Sequence, residues 1–194
     1  MATGLDKPSL RRSLLAHRQA MTVHDWQQAS DRLCAHLQAS DQLQQAKTVL
    51  AYFSIRQEPD LRPLFTACPW IRWGMPRCQG RSLIWHQIDP GDPSHWQAGA
   101  YGIPEPRSQR PTLDPQGVDL MLIPAVACDR RGYRLGYGGG FYDRLLSQLA
   151  WQAIPTMGIV FHHGYLPQLP ADPWDRPLQA VCTDQALYSI SSID

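Results

Sequence analysis

At 194 residues, 43% hydrophobic and 18% charged, with a mean hydropathy of −0.35, the chain is too apolar for a disordered segment and too varied for a fibre. Its eighteen basic and seventeen acidic residues leave a formal charge of +1 with no basic stripe, which argues against nucleic acid as a partner. The five cysteines (Cys34, Cys68, Cys78, Cys128 and Cys182) form no CxxC pair, so neither a disulfide framework nor a zinc site is expected, and a reducing compartment suits them.

The N-terminal region carries arginines but also Asp6, and it lacks the apolar centre of a secretory signal. Cytoplasm is therefore expected, with a mitochondrial presequence as the alternative. Pro8 opens a helical pattern with Leu10, Leu14 and Leu15 on one face and Arg11, Arg12 and Arg18 on the other. A second helix is predicted from Thr22 past Trp26, Leu33 and Leu37 toward Leu43. Residues 48–54 (TVLAYFS) read as a buried strand, 60–67 as a helix, 70–75 as a strand halted by Pro76, and 82–88 as a strand. Between Pro90 and Pro115, proline and glycine interrupt every candidate element, which predicts mostly loop.

Residues 118–127 (VDLMLIPAVA) form a near-continuous apolar run, as in a strand covered on both faces. The strongly apolar stretch over 120–128 is far short of the ~20 residues of a membrane span. Residues 142–150 read as a helix, and 156–161 and 180–183 as short strands. Strands alternating with helices predict an α/β fold, a single domain over residues 1–194 with a mostly parallel central sheet and helices on both faces.

The chemistry concentrates in residues 128–144, CDRRGYRLGYGGGFYDR, where Gly132, Gly136, Gly138, Gly139 and Gly140 lie between a buried strand and a helix. Without a Cβ, glycine admits positive φ and lets successive backbone N–H groups converge on one anion. The start of the following helix adds unpaired N–H groups and the positive end of its dipole. Strand, loop and helix together make a phosphate cradle, although the same residues would also build a tight turn with no ligand. Neither GxxxxGK[ST] nor GxGxxG is matched, since Phe141 stands where the last glycine would be. Asp143, just inside the helix, reads either as an acid placed for the dipole or as a Mg²⁺ ligand beside a polyphosphate. Asp184, after the last predicted strand, is the natural second carboxylate, or an ordinary strand-end acid.

RGYRLGYGGGFYDR preceded by LIPAVACD resembles the signature of the 5-formyltetrahydrofolate cyclo-ligase family. The resemblance continues through Lys7 to Arg11 (KPSLR), residues 54–58, residues 101–106 (YGIPEP), residues 174–178 (WDRPL) and residues 181–184 (VCTD). It implies an enzyme, a ligase that closes 5-formyltetrahydrofolate to 5,10-methenyltetrahydrofolate with ATP as co-substrate and Mg²⁺ as cofactor, releasing ADP and phosphate. ATP contacts carry over to Lys7, Arg11, Arg134, Leu135, Gly136, Tyr137, Gly138, Gly139, Gly140, Phe141 and Tyr142. Folate contacts carry over to Phe53, Glu58, Tyr101 and the loop residues Tyr137, Gly138, Gly139, Gly140 and Phe141, and metal ligation to Asp143 and Asp184. Arg134, Tyr142 and Lys7 are expected to serve the transfer itself.

Many members of that family carry a lysine or arginine within the loop, where this chain has Tyr137 and Gly139. Charge on the terminal phosphate is then expected from Lys7, Arg11 and Arg134, with Arg77 a further candidate. The alternative function is a nucleotide- and folate-binding module without turnover; a divergent Rossmann turn fits the glycine spacing poorly. The expected partners are the small molecules ATP and folate, with no nucleic acid and no membrane, and the expected state is a monomer.

Overall fold

In the computed structural model, which describes residues 6–99 and 102–190, helix α1 (Lys7–Gln19) starts where the Asp6 carboxylate accepts the Ser9 N–H at 2.8 Å. Helix α2 (Val23–Gln38) is capped by the Thr22 hydroxyl, which accepts the Asp25 N–H at 3.1 Å. It does not continue to Leu43. The Ser40 side chain instead accepts the Leu43 N–H and starts a separate helix α3 (Asp41–Gln45), because a short hydroxyl side chain competes with the helical ladder.

The chain then runs through β1 (Thr48–Leu50), α4 (Arg62–Ala67), β2 (Arg72–Gln79), β3 (Ser82–Ile88), β4 (Trp96–Ala98), β5 (Pro104–Pro106), β6 (Leu120–Pro124), β7 (Ala127–Asp129) and β8 (Arg134–Leu135). It ends with α5 (Phe141–Leu146), α6 (Leu149–Gln152), β9 (Thr156–Ile159), β10 (Tyr165–Leu166), β11 (Ala180–Cys182) and β12 (Leu187–Ser189). Seven strands form one sheet in the order β12-β11-β9-β6-β1-β2-β3. The strands from β11 to β2 pair in parallel, and β12 and β3 close the two edges antiparallel.

Side chains alternate between the two faces of this sheet. Val49, Leu120, Leu122, Met157, Ile159 and Ala180 pack with Leu33, Leu37, Leu43 and Leu64 of α2, α3 and α4. Leu50, Met121, Ile123 and Val181 face the other way, onto Leu145 and Leu146 of α5 and Trp151 of α6. The expected α/β layering with helices on both faces is thus what the structure has. No helix among the described residues is long and apolar enough to cross a membrane.

Several local readings change. β2 runs through Pro76, which pairs with Trp85 of β3. Pairing with β1 ends at Gly74, so this proline lies where β2 is bordered by one strand only and its missing N–H interrupts no central ladder. The loop expected between Pro90 and Pro115 holds the β4–β5 hairpin. The apolar run over 118–127 breaks into β6 and β7, and β7 leaves the main sheet to join β8 and β10. The helix read over 142–150 is two short pieces, α5 and α6.

The connection between β7 and β8 is organised by Asp129, whose fully buried carboxylate accepts the N–H groups of Arg131, Tyr133 and Leu169 and pairs with the Arg131 guanidinium at 2.8 Å. Gly132 takes φ +85° here, and a Cβ on it would lie 2.3 Å from the Leu178 carbonyl oxygen; the Leu178 N–H in turn bonds the Gly132 carbonyl at 2.8 Å. Gly132→Ala is therefore expected to lower stability by about 2–4 kcal/mol, from positive-φ strain plus a backbone clash. A urea or thermal melt reading less than 1 kcal/mol of loss would contradict this (~1 is the size of a strain-free change).

Candidate active site

In an open parallel sheet, ligands bind beyond the carboxyl ends of the strands at the point where the winding reverses. Here that point lies between β1, whose winding proceeds to β2, and β6, whose winding proceeds to β9. The segments that meet there are the turn after β1, the end of β6, helix α1 and the glycine loop between β8 and α5.

Helix α1 docks through Leu10 and Leu14 onto Ala127, Leu135 and Leu169. Lys7, Arg11 and Arg18 recur at intervals that the 3.6-residue helical period places on one stripe; Arg11 and Arg18 reach these segments, and Lys7 reaches the loop before β11. The placement of Arg18 on a polar outer face is thus corrected: it is only 3% exposed. Its Nε donates to the Arg56 carbonyl at 3.1 Å, Nη1 reaches the Ala125 carbonyl at 3.5 Å, and Nη2 donates to the Tyr137 hydroxyl.

The glycine loop is held by its carbonyls. Arg11 Nε donates to the Gly136 oxygen at 2.7 Å, and Arg144 Nη2 to the Gly139 oxygen at 2.9 Å. Among the described residues, no backbone N–H of Gly136, Tyr137, Gly138, Gly139 or Gly140 donates to a protein acceptor. The Gly136 and Gly139 carbonyls are thus turned to arginines while the loop's donors are available, which is the polarity an anion requires. Gly140, at φ +65°, turns the chain into α5, where a Cβ would meet Arg144 Nη1 at 2.7 Å. Since α5 is short, its dipole is a minor contributor and the loop amides are the main donors.

Glu58 lies across from the loop. Arg56 and Gln57 both adopt left-handed φ, +47° and +56°, the pattern of a type I′ turn that asparagine and glycine usually fill. Such strain costs about 1–3 kcal/mol per residue and persists where the surroundings enforce it. Here Trp26 Nε1 and the Ser54 hydroxyl both donate to the Glu58 carbonyl, at 2.8 and 2.7 Å, and Gln57 Nε2 donates to the Met21 carbonyl. The turn aims a carboxylate that is 2% exposed into the protein, where it accepts the Ile55 N–H at 3.1 Å and has the Tyr137 phenol beside it. Burial pushes the Glu58 carboxyl up to about 7, against the pull of the Ile55 N–H, Arg18, Tyr137 and Arg56. Burial and the Glu58 charge together raise the Tyr137 phenol, which stays protonated and able to donate.

The other predicted residues fall in several places. Arg134 Nη2 pairs with Asp143 Oδ1 at 2.6 Å; the Arg134 side chain is 5% exposed and the Asp143 side chain 31%. Arg134 thus anchors Asp143 and lies 5.9 Å from the centre of the Tyr142 ring, so it is no free cation over the loop. Leu135 is a buried β8 residue that packs under the loop, and Phe141 stacks with the Arg144 guanidinium. The Lys7 ammonium lies between Asp172 and Asp175, at 2.5 and 2.6 Å; burial pulls it down, but the two carboxylates outweigh that and hold it above its ordinary value. Arg77 donates to the Pro106 carbonyl. Phe53 meets Trp96 of the β4–β5 hairpin edge-on at 4.2 Å, and Tyr101 lies outside the described residues.

Asp184 accepts the His162 N–H at 2.7 Å and approaches Arg32 at 3.4 Å, beside a cleft of about 300 Å³ between α2 and the loops after β9 and β11. Asp143 and Asp184 therefore occupy separate clusters, each with its own arginine. Among the described residues no group of three or more His, Cys, Asp or Glu side chains is placed to enclose a metal.

Arg18, Arg56 and Arg144 are the site residues that sequence reasoning did not single out. The spacing of Lys7, Arg11 and Arg18 on one helical stripe was the available signal for the first. Nothing local marks the other two.

A profile of the 5-formyltetrahydrofolate cyclo-ligase family matches residues 4–184. The chain is similar to the 5-formyltetrahydrofolate cyclo-ligase of Escherichia coli K12, 30% identical over 182 residues that cover 88% of this chain and 96% of that protein. The Haemophilus influenzae protein of the same name is 26% identical over 179 residues, covering 89% and 94%. Among solved structures, the 5,10-methenyltetrahydrofolate synthetase of Aquifex aeolicus superposes with a TM-score of 0.85 at 28% identity, over 97% of this chain and 94% of that one. The synthetase of Mycoplasma pneumoniae gives 0.75 at 25% identity, over 93% and 99%.

Proposed function

The chain belongs to the 5-formyltetrahydrofolate cyclo-ligase family, a family of ligases, and from that premise we propose that it converts 5-formyltetrahydrofolate to 5,10-methenyltetrahydrofolate at the expense of ATP. The observation that carries this reading is the glycine loop. Its Gly136 and Gly139 carbonyls are tied to Arg11 and Arg144 while the N–H groups of residues 136–140 stay available, and Tyr137 in the same loop lies beside the buried Glu58. An anion-binding surface and a carboxylate suited to a pterin's amino and ring N–H donors thus adjoin each other.

The formyl group on N5 is an amide, with a poor electrophilic carbon and a modestly nucleophilic oxygen. In the proposed reaction that oxygen takes the terminal phosphoryl group of ATP and ADP departs. N10 then attacks the formyl carbon, the C–O bond breaks, phosphate leaves, and N10 gives up its proton as the ring closes. Phosphoryl transfer of this kind depends on positioning and charge neutralisation more than on covalent help. The loop amides would hold the phosphates. The terminal nitrogens of Arg11 make no protein hydrogen bond among the described residues and would add charge. Glu58 would orient the pterin, with Phe53 and Trp96 offering aromatic faces nearby. N10 is an arylamine and needs no strong base.

Mg²⁺ fits this site in one mode. The ion commonly takes one or two carboxylates and completes its shell with phosphate and water. Asp143, partly exposed with one oxygen on Arg134, suits that role, and when bound the ion would neutralise phosphate charge. Asp184, held by the His162 N–H and near Arg32, is the weaker donor. A working monomer in the cytoplasm completes the proposal, the five cysteines without paired spacing suiting a reducing compartment.

Purified protein is expected to raise the absorbance of the methenyl product only when 5-formyltetrahydrofolate, ATP and Mg²⁺ are all present. Absence of product from folded protein over hours, with ATP binding retained in calorimetry, would replace the enzyme with a non-catalytic binding module.

A further inference from the structure

Resting on the reading of Glu58 as the pterin-facing carboxylate, we propose that Arg18 is a positioning residue that acts on Glu58 through Tyr137 and clamps the turn after β1 against the glycine loop. Arg18 is nearly fully buried, and among the described residues no carboxylate forms a salt bridge with it. A buried guanidinium without a paired carboxylate is costly unless its donors are used and a counter-charge lies near. Its donors do go to separate segments, the Arg56 carbonyl after β1, the Ala125 carbonyl after β6 and the Tyr137 hydroxyl in the loop. The compensating charge is Glu58, on the same turn as the Arg56 carbonyl that Arg18 holds: the guanidinium donates to the Tyr137 oxygen, and Arg18 and the Tyr137 phenol both favour the ionised form of that buried carboxylate. The guanidinium also lies 5.6 Å from the centre of the Tyr137 ring, with Arg56 at 5.7 Å.

This arrangement makes the orientation of the loop and the charge of Glu58 depend on one side chain from α1. The groups facing Glu58 are Arg18 from α1, Arg56 on its own turn, Tyr52 beyond β1, Tyr137 in the loop and Tyr142 on α5. Arg18 and Arg56 are the cations, and Arg56 is exposed to solvent, where screening weakens it. Arg18 is thus the cation whose removal Glu58 registers most.

The chain has two glutamates, Glu58 and Glu105. Glutamate labelled with ¹³C at the carboxyl therefore yields two carboxyl resonances, assigned by comparison with Glu105→Gln. In the unsubstituted protein the Glu58 signal is expected to titrate near pH 7. In Arg18→Met its midpoint should rise by about 1 pH unit or more, the size of effect an opposite charge exerts at close range. Arg18→Lys should recover part of that shift, and Glu105 should not respond. Tyr137→Phe, which leaves Arg18 in place and removes the phenol hydroxyl, should shift Glu58 in the same direction, and it tests the coupling should Arg18→Met not fold. A Glu58 midpoint unmoved in the folded variants overturns the proposal. If the midpoint moves but KM for 5-formyltetrahydrofolate does not, the coupling stands and the pterin-facing role of Glu58 fails. If both move, with KM raised about tenfold or more and the pH dependence of kcat/KM displaced by the same amount, both hold.

Discussion

Replacing Glu58 with glutamine is expected to cut kcat/KM for the folate about a hundredfold while making the protein more stable at pH 8. The first effect follows from the loss of a charge-assisted hydrogen-bonding pair, worth about 2–3 kcal/mol. The second follows from the burial of the carboxyl. Its folded-state value lies near 7 against an ordinary 4.5, so the folded protein binds this proton more tightly than the unfolded chain does. Stability therefore falls as pH rises from about 4.5 to about 7 and stays low above that. At 1.36 kcal/mol per pH unit the cost of keeping Glu58 ionised in the fold is about 3 kcal/mol. Glutamine carries no charge and still offers an oxygen to the Ile55 N–H. Its melting temperature at pH 8 should exceed that of the unsubstituted protein by roughly 6–12 °C for a chain of this size. The gain should vanish by about pH 4, where Glu58 is protonated in both states. Equal melting temperatures at pH 8 would mean that the fold does not strain to keep this carboxylate. A strained turn at Arg56 and Gln57 that aims a costly charge into the protein is the trade between stability and function expected of a binding site.

Asp143→Ala and Asp143→Asn are both expected to lower turnover by two to three decades, the usual cost of about 3–4 kcal/mol for one preorganised charge-stabilising group. Their effects on the fold should differ. From sequence alone Asp143 reads either as an acid placed for the helix dipole or as a metal ligand, with no buried partner in view. The structure shows it as the counter-ion of Arg134, whose side chain is 5% exposed. Alanine leaves that guanidinium buried and unpaired. Breaking a fully buried pair costs more, but Asp143 is partly solvated, so about 2 kcal/mol is the expected loss. Asparagine keeps an oxygen for Arg134 and should unfold close to the unsubstituted midpoint. Measured under saturating ATP and Mg²⁺, an Asp143→Asn protein that keeps more than a tenth of the activity would remove Asp143 from the phosphate-transfer machinery.

The α/β class is legible in patterns that a chain cannot avoid displaying. A strand covered on both faces must be apolar throughout, as residues 120–123 are, and β3 matches its predicted bounds because its limits are set by local turn residues. The β2 strand runs through Pro76 because edge pairing, which no local pattern encodes, makes a missing N–H tolerable there. The β4–β5 hairpin within a proline-rich stretch is illegible for the same reason: its Trp96 is placed by Phe53, distant in sequence.

The site divides in the same way. The glycine loop is legible because the need for positive φ and for bare backbone donors is written in residue type itself. Which carbonyls Arg11 and Arg144 would seize, and that Arg134 would be spent on Asp143, is not. Arg18 is the sharpest instance. On its helix it looks like one more basic residue, and only the docking of Leu10 and Leu14 onto the sheet turns its stripe inward and buries it. Residue types and their order were enough to establish the class of fold, the place of the glycine loop and the kinds of side chain available near it. Which charges pair, and which remain for a ligand, is settled only by the folded arrangement, because that choice depends on distances of a few ångströms between segments that the chain keeps far apart.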